Sequence, residues 1–134
     1  MAEPNVIPIP YDGTSFPHLI SCGRAHSLIS FKTQDDQHIL YSLGNNAFGQ
    51  CAREMIKDEI FTAHNPQITR VFLPDQIKAI KQIECGQDHS LILAGDGCVY
   101  SAGLSTDGQT GLGSTKCVDT LTKVGGALEG LRVK

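Results

Sequence analysis

CGRAHSLIS at residues 22–30 returns as CGQDHSLIL at 85–93. A second matched phrase follows each copy: YSLGNNAFGQ at 41–50 and YSAGLSTDGQ at 100–109. The first pair stands 63 residues apart and the second 59. The difference of four reads as a small insertion, and QDDQ at 34–37 is its candidate. Two ordered phrases at one period are the signature of a repeat architecture. A residue that recurs with the repeat is first suspected of building scaffold, and only then of doing chemistry.

Short extended segments precede each copy. His18 to Cys22 aligns with Lys81 to Cys85, and Ile20 and Cys22 share one face of a strand, as do Ile83 and Cys85. Gly23 and Gly86 mark a tight turn or bulge where the backbone needs unusual freedom. A hairpin comes next. Ser90 to Ala94 is an apolar strand, Gly95-Asp96-Gly97 turns, and Cys98 to Ala102 returns. In the first copy, Ser27 to Phe31 and His38 to Leu43 flank the longer acidic turn Thr33 to Gln37. Each hairpin ends in Gly (Gly44, Gly103) and runs through a polar loop to Gly-Gln. The strands are apolar on successive residues, as strands covered on both faces are. Stacked sheets supply such cover. With glycine punctuation and a period near sixty, the pattern predicts an all-β chain of propeller blades.

Between the copies, Cys51 to Asn65 is charged, with Met55, Ile56, Ile60 and Phe61 at helix-like spacing. It reads equally as a short amphipathic helix or an irregular loop on a blade rim. Ile68 to Pro74 reads as an outer strand closed by proline.

The bulk numbers narrow the class. Hydrophobic residues are 40% of 134, which is neither a disordered nor a membrane composition. The apolar runs, such as Leu91 to Ala94, are far too short to cross a bilayer. The formal net charge is −3 and the eleven Lys and Arg are scattered, which disfavours a nucleic-acid or anionic-membrane surface. MAEPNVIPIP shows neither a secretory signal nor a transit-peptide pattern. The five cysteines, Cys22, Cys51, Cys85, Cys98 and Cys117, are odd in number, and two are placed by the repeat. That fits free thiols in a reducing compartment.

The order Ile-x-Cys-Gly-x-x-His-Ser-Leu, hairpin, Tyr-Ser-x-Gly, polar loop, Gly-Gln resembles the regulator of chromosome condensation repeat. It runs from Ile20 to Gln50 and again from Ile83 to Gln109, continuing as Thr110-Gly111-Leu112-Gly113. The resemblance implies a seven-bladed propeller, of which this chain holds about two four-stranded blades. The units are about 20–82 and 83–134, with a charged rim insert at 51–65. It implies non-enzymatic protein binding: guanine nucleotide exchange on a small or dynamin-like GTPase, or scaffolding. The wording of YSLGNNAFGQCARE and IECGQDHSLILAGDG resembles the family's mitochondrial branch. That likeness implies a mitochondrial setting and partners near ribosome or RNA assembly. Leu121 to Lys134 resembles the run-up Ile68 to Gln82, and a third copy of the motif is missing. The expectation is therefore a fragment, a short product or half of an assembly.

Candidate chemistry is sparse. Cys22, His26, Cys85 and His89 form a zinc set on paper. Equivalent places in neighbouring blades lie roughly 10 Å apart, whereas zinc ligands converge to about 2.0–2.3 Å from the metal. Both histidines are expected instead to bond backbone at a blade corner. A Cys–His nucleophile pair would need an orienting third group, and a duplicated unit is more naturally architectural. Ser27 and Ser90 are expected on the opposite strand face, making no triad. Gly111-Leu112-Gly113-Ser114 has too few glycines for a phosphate loop, and Lys116 comes too late. No catalytic, metal or cofactor residues are expected. The candidate partner-binding residues are Arg53, Glu54, Lys57, Asp58 and Glu59 on the rim insert, because function concentrates in loops held by a rigid scaffold. Chromatin binding is disfavoured by the charge and the lack of a basic arm.

Overall fold

The structure, a computed structural model, describes residues 14–54, 68–105, 107–113 and 117–125. Among the described residues there are eight strands and no helix. β1 (Ser15–Cys22), β2 (His26–Thr33), β3 (His38–Gly44) and β4 (Thr69–Val71) form one sheet in that order. β5 (Ile80–Cys85), β6 (His89–Ala94), β7 (Val99–Gly103) and β8 (Val118–Lys123) form a second. Every neighbouring pair is antiparallel. The expected outer strand 68–74 shrinks to Thr69–Val71, after which the chain turns and Pro74 O accepts the Ile77 N–H. The helix-or-loop reading of 51–65 lies almost wholly outside the described residues.

The four-residue insertion is not in the turn. Thr33 N–H bonds Gln37 O across a three-residue turn, as Ala94 N–H bonds Cys98 O across another. Asp36 at φ 61° holds the left-handed position that Gly97 holds at φ 90°, a conformation that Asp tolerates better than most residues. The extra residues lie in the strands. β2 and β3 each run two residues beyond the point where β6 and β7 reach their turn. QDDQ therefore closes a longer hairpin with the same kind of turn.

The core lies between the two sheets. Leu28, Leu40 and Val71 of the first pack with Ile83, Ile92, Tyr100 and Leu121 of the second. Leu28 and Ile92 are wholly buried, and each such side chain contributes about 1.5–3 kcal/mol. The Arg24–Asp88 ion pair also joins the sheets, but the Arg24 side chain is 61% exposed. Exposed pairs of this kind are worth about 0.2–1 kcal/mol. Packing, not charge, holds the sheets together. The two-faced cover expected of these strands is complete at β7, where Tyr100, Ser101 and Ala102 are all buried, and is uneven along the start of β2. His26, Leu28 and Ser30 face the second sheet and are buried, while Ser27 and Ile29 on the other side are half-buried.

Candidate functional site

The repeated motif builds the junction. Ser21 leads: its Oγ accepts the Cys85 N–H at 3.0 Å, and its carbonyl receives the Cys85 thiol at 3.5 Å. Arg24 N–H then reaches Gln87 O at 3.1 Å, and its guanidinium meets Asp88 at 2.7 Å. His26 Nε2 lies 2.9 Å from Ser90 Oγ. Ser90 Oγ donates its one proton to Gln50 O at 2.7 Å. His26 must therefore donate from Nε2, which leaves Nδ1 without a proton and, in this buried place, without a hydrogen-bond partner.

One expectation is corrected here. His26 bonds a serine of the next sheet, not backbone at its own corner. Ser90 lies on the strand face opposite His89, as expected, and there it meets His26 of the neighbouring unit. The pairing joins one repeat to the next and not two residues within one copy, so a single copy of the motif could not reveal it. The proton runs from imidazole to hydroxyl to carbonyl, opposite to the direction a serine nucleophile requires. Burial holds the His26 pKa below its ordinary 6.5, outweighing the raising influence of Asp88. Burial also pushes the Cys85 thiol up from 9.0, away from the thiolate a nucleophile or metal ligand uses.

Gly23 and Gly86 are needed for space. Neither has a positive φ. A Cβ on Gly23 would overlap the His26 ring and Gly86 O, and one on Gly86 would overlap the His89 ring. The glycine that follows each cysteine therefore clears a seat for the histidine three residues on. Gly44 and Gly103 differ: at φ 105° and 119° they need glycine's conformational freedom itself.

The strands alternate direction, so the 23–25 corner and the loop leaving β3 lie at the same end of the sheet. The loop is self-supporting. Gln50 Oε1 accepts the Phe48 N–H at 2.9 Å, and Gln109 Oε1 accepts the Asp107 N–H at 2.8 Å, which is what the repeated Gly-Gln provides. Asn46, 4% exposed, roots the rim insert. Its amide donates to Arg53 O at 2.9 Å and Glu54 O at 3.2 Å, and its Oδ1 accepts the Cys51 N–H at 3.0 Å. In the second unit, Ser105 and Thr110 stand at the places of Asn46 and Cys51, and their hydroxyls bond each other at 2.7 Å. Of the candidate binding residues, Arg53 is half-buried and Glu54 exposed, both at the root of the insert. Lys57, Asp58 and Glu59 lie outside the described residues. Asn46 was not singled out from the sequence. Its signal was there: an amide able to bond three backbone groups, where the second copy has only a hydroxyl.

Comparison with known proteins follows the same residues. Models of the regulator of chromosome condensation repeat match residues 37–93 and 80–109, together more than half of the chain. The RCC1-like G exchanging factor-like proteins of Mus musculus and Homo sapiens are 41% and 40% identical over 98% of this chain. The chain spans 27% of the length of each. The crystal structure of human WBSCR16 superposes with a TM-score of 0.83 at 40% identity, covering 97% of this chain and 31% of that one. Prp20p from Saccharomyces cerevisiae, studied for its binding to Gsp1p and histones, superposes at 0.66 with 23% identity. It covers 92% of this chain and 28% of that one, a likeness of fold. The two sheets are thus blades of a propeller.

Proposed function

The chain belongs to the regulator of chromosome condensation repeat family, and from that premise we propose that its two blades serve a propeller that promotes guanine nucleotide exchange on a partner GTPase. The observation that carries this reading is the likeness, over 98% of the chain, to proteins named as exchange-factor-like. The junction residues that define the family here serve scaffold roles. Exchange needs no covalent step. It needs a surface with higher affinity for the nucleotide-free partner, which then shifts the partner's population. A neutral, donating His26 and a protonated Cys85 suit a rigid frame for such a surface.

The partner surface in this reading is the end that carries the rim insert, Arg53, Glu54, Lys57, Asp58 and Glu59, anchored through Asn46. The partner is a small or dynamin-like GTPase, and the setting is mitochondrial, as the motif wording implies. The test is release of a fluorescent guanine nucleotide from a panel of mitochondrial GTPases, with the full-length protein added. Accelerated release from one member, slowed by the double variant Arg53→Glu/Lys57→Glu, supports the reading. No acceleration on any member overturns it. Recovery of ribosomal proteins without a GTPase would replace exchange with scaffolding.

A further inference from the structure

The longer hairpin of the first blade has a consequence at its outer edge. β4 pairs only with Leu40, Tyr41 and Ser42 of β3. His38 and Ile39 project past the end of β4, and among the described residues no strand pairs with them on that side. The second blade has no such overhang, because Val124 N–H bonds Val99 O at the very start of β7. Antiparallel partners alternate between bonded and non-bonded pairs. Thr33 bonds Gln37, so His38 stands in a non-bonded pair with Lys32 and turns its own N–H and C=O outward.

An open cleft of about 440 Å³ lies beside this edge, walled by His38, Ile39, Leu73 and Ile77, with Arg70 and Lys78 at its border. Phe72 stands at its mouth, 81% exposed, and the Arg70 guanidinium lies 5.4 Å from the centre of its ring. Arg70 and Lys78 have no carboxylate partner among the described residues, and Asp75 is the only acid lining the cleft. An exposed strand edge is a template for another strand, and peptide-binding domains use it with side-chain pockets alongside.

We propose that the overhanging end of β3 and the cleft beside it dock an extended acidic segment of a partner protein by strand addition. The segment's backbone bonds the outward N–H and C=O of His38. Its carboxylates meet Arg70, held in place by the Phe72 ring, and Lys78. Apolar side chains on its alternate positions enter between Ile39 and Leu73. The site lies at the opposite end of the sheet from the loop leaving β3 that roots the rim insert, so it stands apart from the exchange reading.

The probe is a fluorescein-labelled peptide of alternating glutamate and valine, read by anisotropy with the 134-residue chain. It binds, while the lysine-for-glutamate peptide and the backbone N-methylated peptide do not. Arg70→Glu/Lys78→Glu weakens binding by about tenfold or more and restores binding of the lysine peptide. Phe72→Ala gives a smaller loss. Circular dichroism melts show that both variants remain folded, as exposed positions allow. Absence of binding, equal binding of the N-methylated peptide, or indifference to the charge reversal overturns the proposal. So does sedimentation showing a second copy of the chain dissociated by Phe72→Ala.

Discussion

Ile20 and Ile83 hold the same place in two copies of one motif, yet Ile20 is 67% exposed and Ile83 5%. Ser27 and Ser90 differ likewise: Ser90 is wholly buried between His26 and Gln50 O, while Ser27 is half-buried and its hydroxyl, among the described residues, bonds only the Cys22 thiol of its own sheet, at 3.3 Å. The glycines before the glutamines repeat the contrast from the other side. A Cβ on Gly49 would come within 2.5 Å of Val118 O, whereas one on Gly108 would meet nothing within 4 Å among the described residues. Each unit thus has a receiving face and a giving face, and the junction joins the giving face of the first to the receiving face of the second. Identical residues have different energetic weight according to which face has its neighbour.

The largest test of that asymmetry is alanine at the paired isoleucines. Ile83→Ala lowers unfolding free energy by about 2–4 kcal/mol, and Ile20→Ala changes it by less than about 0.5 kcal/mol, both read from urea melts. Equal losses would mean that the first blade's receiving face is as well packed as the second's. The glycine pair comes next. Gly23→Ala costs about 1–3 kcal/mol, the range of overpacking, because both the buried His26 ring and backbone at Gly86 obstruct it. Gly86→Ala costs less, because the half-buried His89 ring can swing aside. A reversed order would break the account of why these glycines are there. Ser90→Ala follows. It leaves the buried His26 N–H and Gln50 carbonyl without their partner and costs about 1–2 kcal/mol, while Ser27→Ala is near neutral in the same melts.

The smallest effect is in pH. Burial lowers the pKa of both His26 and His38 below 6.5. His38 is further lowered by His18 on β1 and Lys32 on β2, and is raised by Asp36. Its Nδ1 accepts the Ile80 N–H at 3.1 Å, which needs the neutral ring. The unfolded chain therefore binds more protons than the native one just below the ordinary value. Stability is complete above pH about 6.5 and declines as pH falls below it toward the lowered native values. Urea midpoints at pH about 7.5 and about 5.5 show the decline, and His38→Gln, whose side-chain oxygen can still accept the Ile80 N–H, removes part of it. A flat profile would reject the account.

The two blades and their order were legible, because a strand, a turn and a glycine each leave local marks and here each is written twice. The pairing of His26 with Ser90 was not. It joins residues 64 apart, and within one copy the histidine and serine sit side by side on opposite faces. QDDQ misled for a related reason. Alignment finds where letters are extra, whereas the ladder decides where length is absorbed. Asn46 reads in the sequence as part of a polar loop, because an amide that bonds three backbone groups looks there like any asparagine. The charged residues beyond Glu54 rest on their place in a loop held by a rigid scaffold, and their worth as contacts is a matter for the exchange experiment.

The extended hairpin also sets a rule for how such repeats change length. A turn of the Thr33–Gln37 kind closes on a bonded pair, and bonded pairs come at every second step of an antiparallel ladder. Adding one residue to each strand would bring the turn onto a pair of the wrong phase. Adding two restores it. Hairpin length in this architecture therefore drifts in quanta of about four residues, and a repeat whose spacing departed by two would have had to invent a different turn.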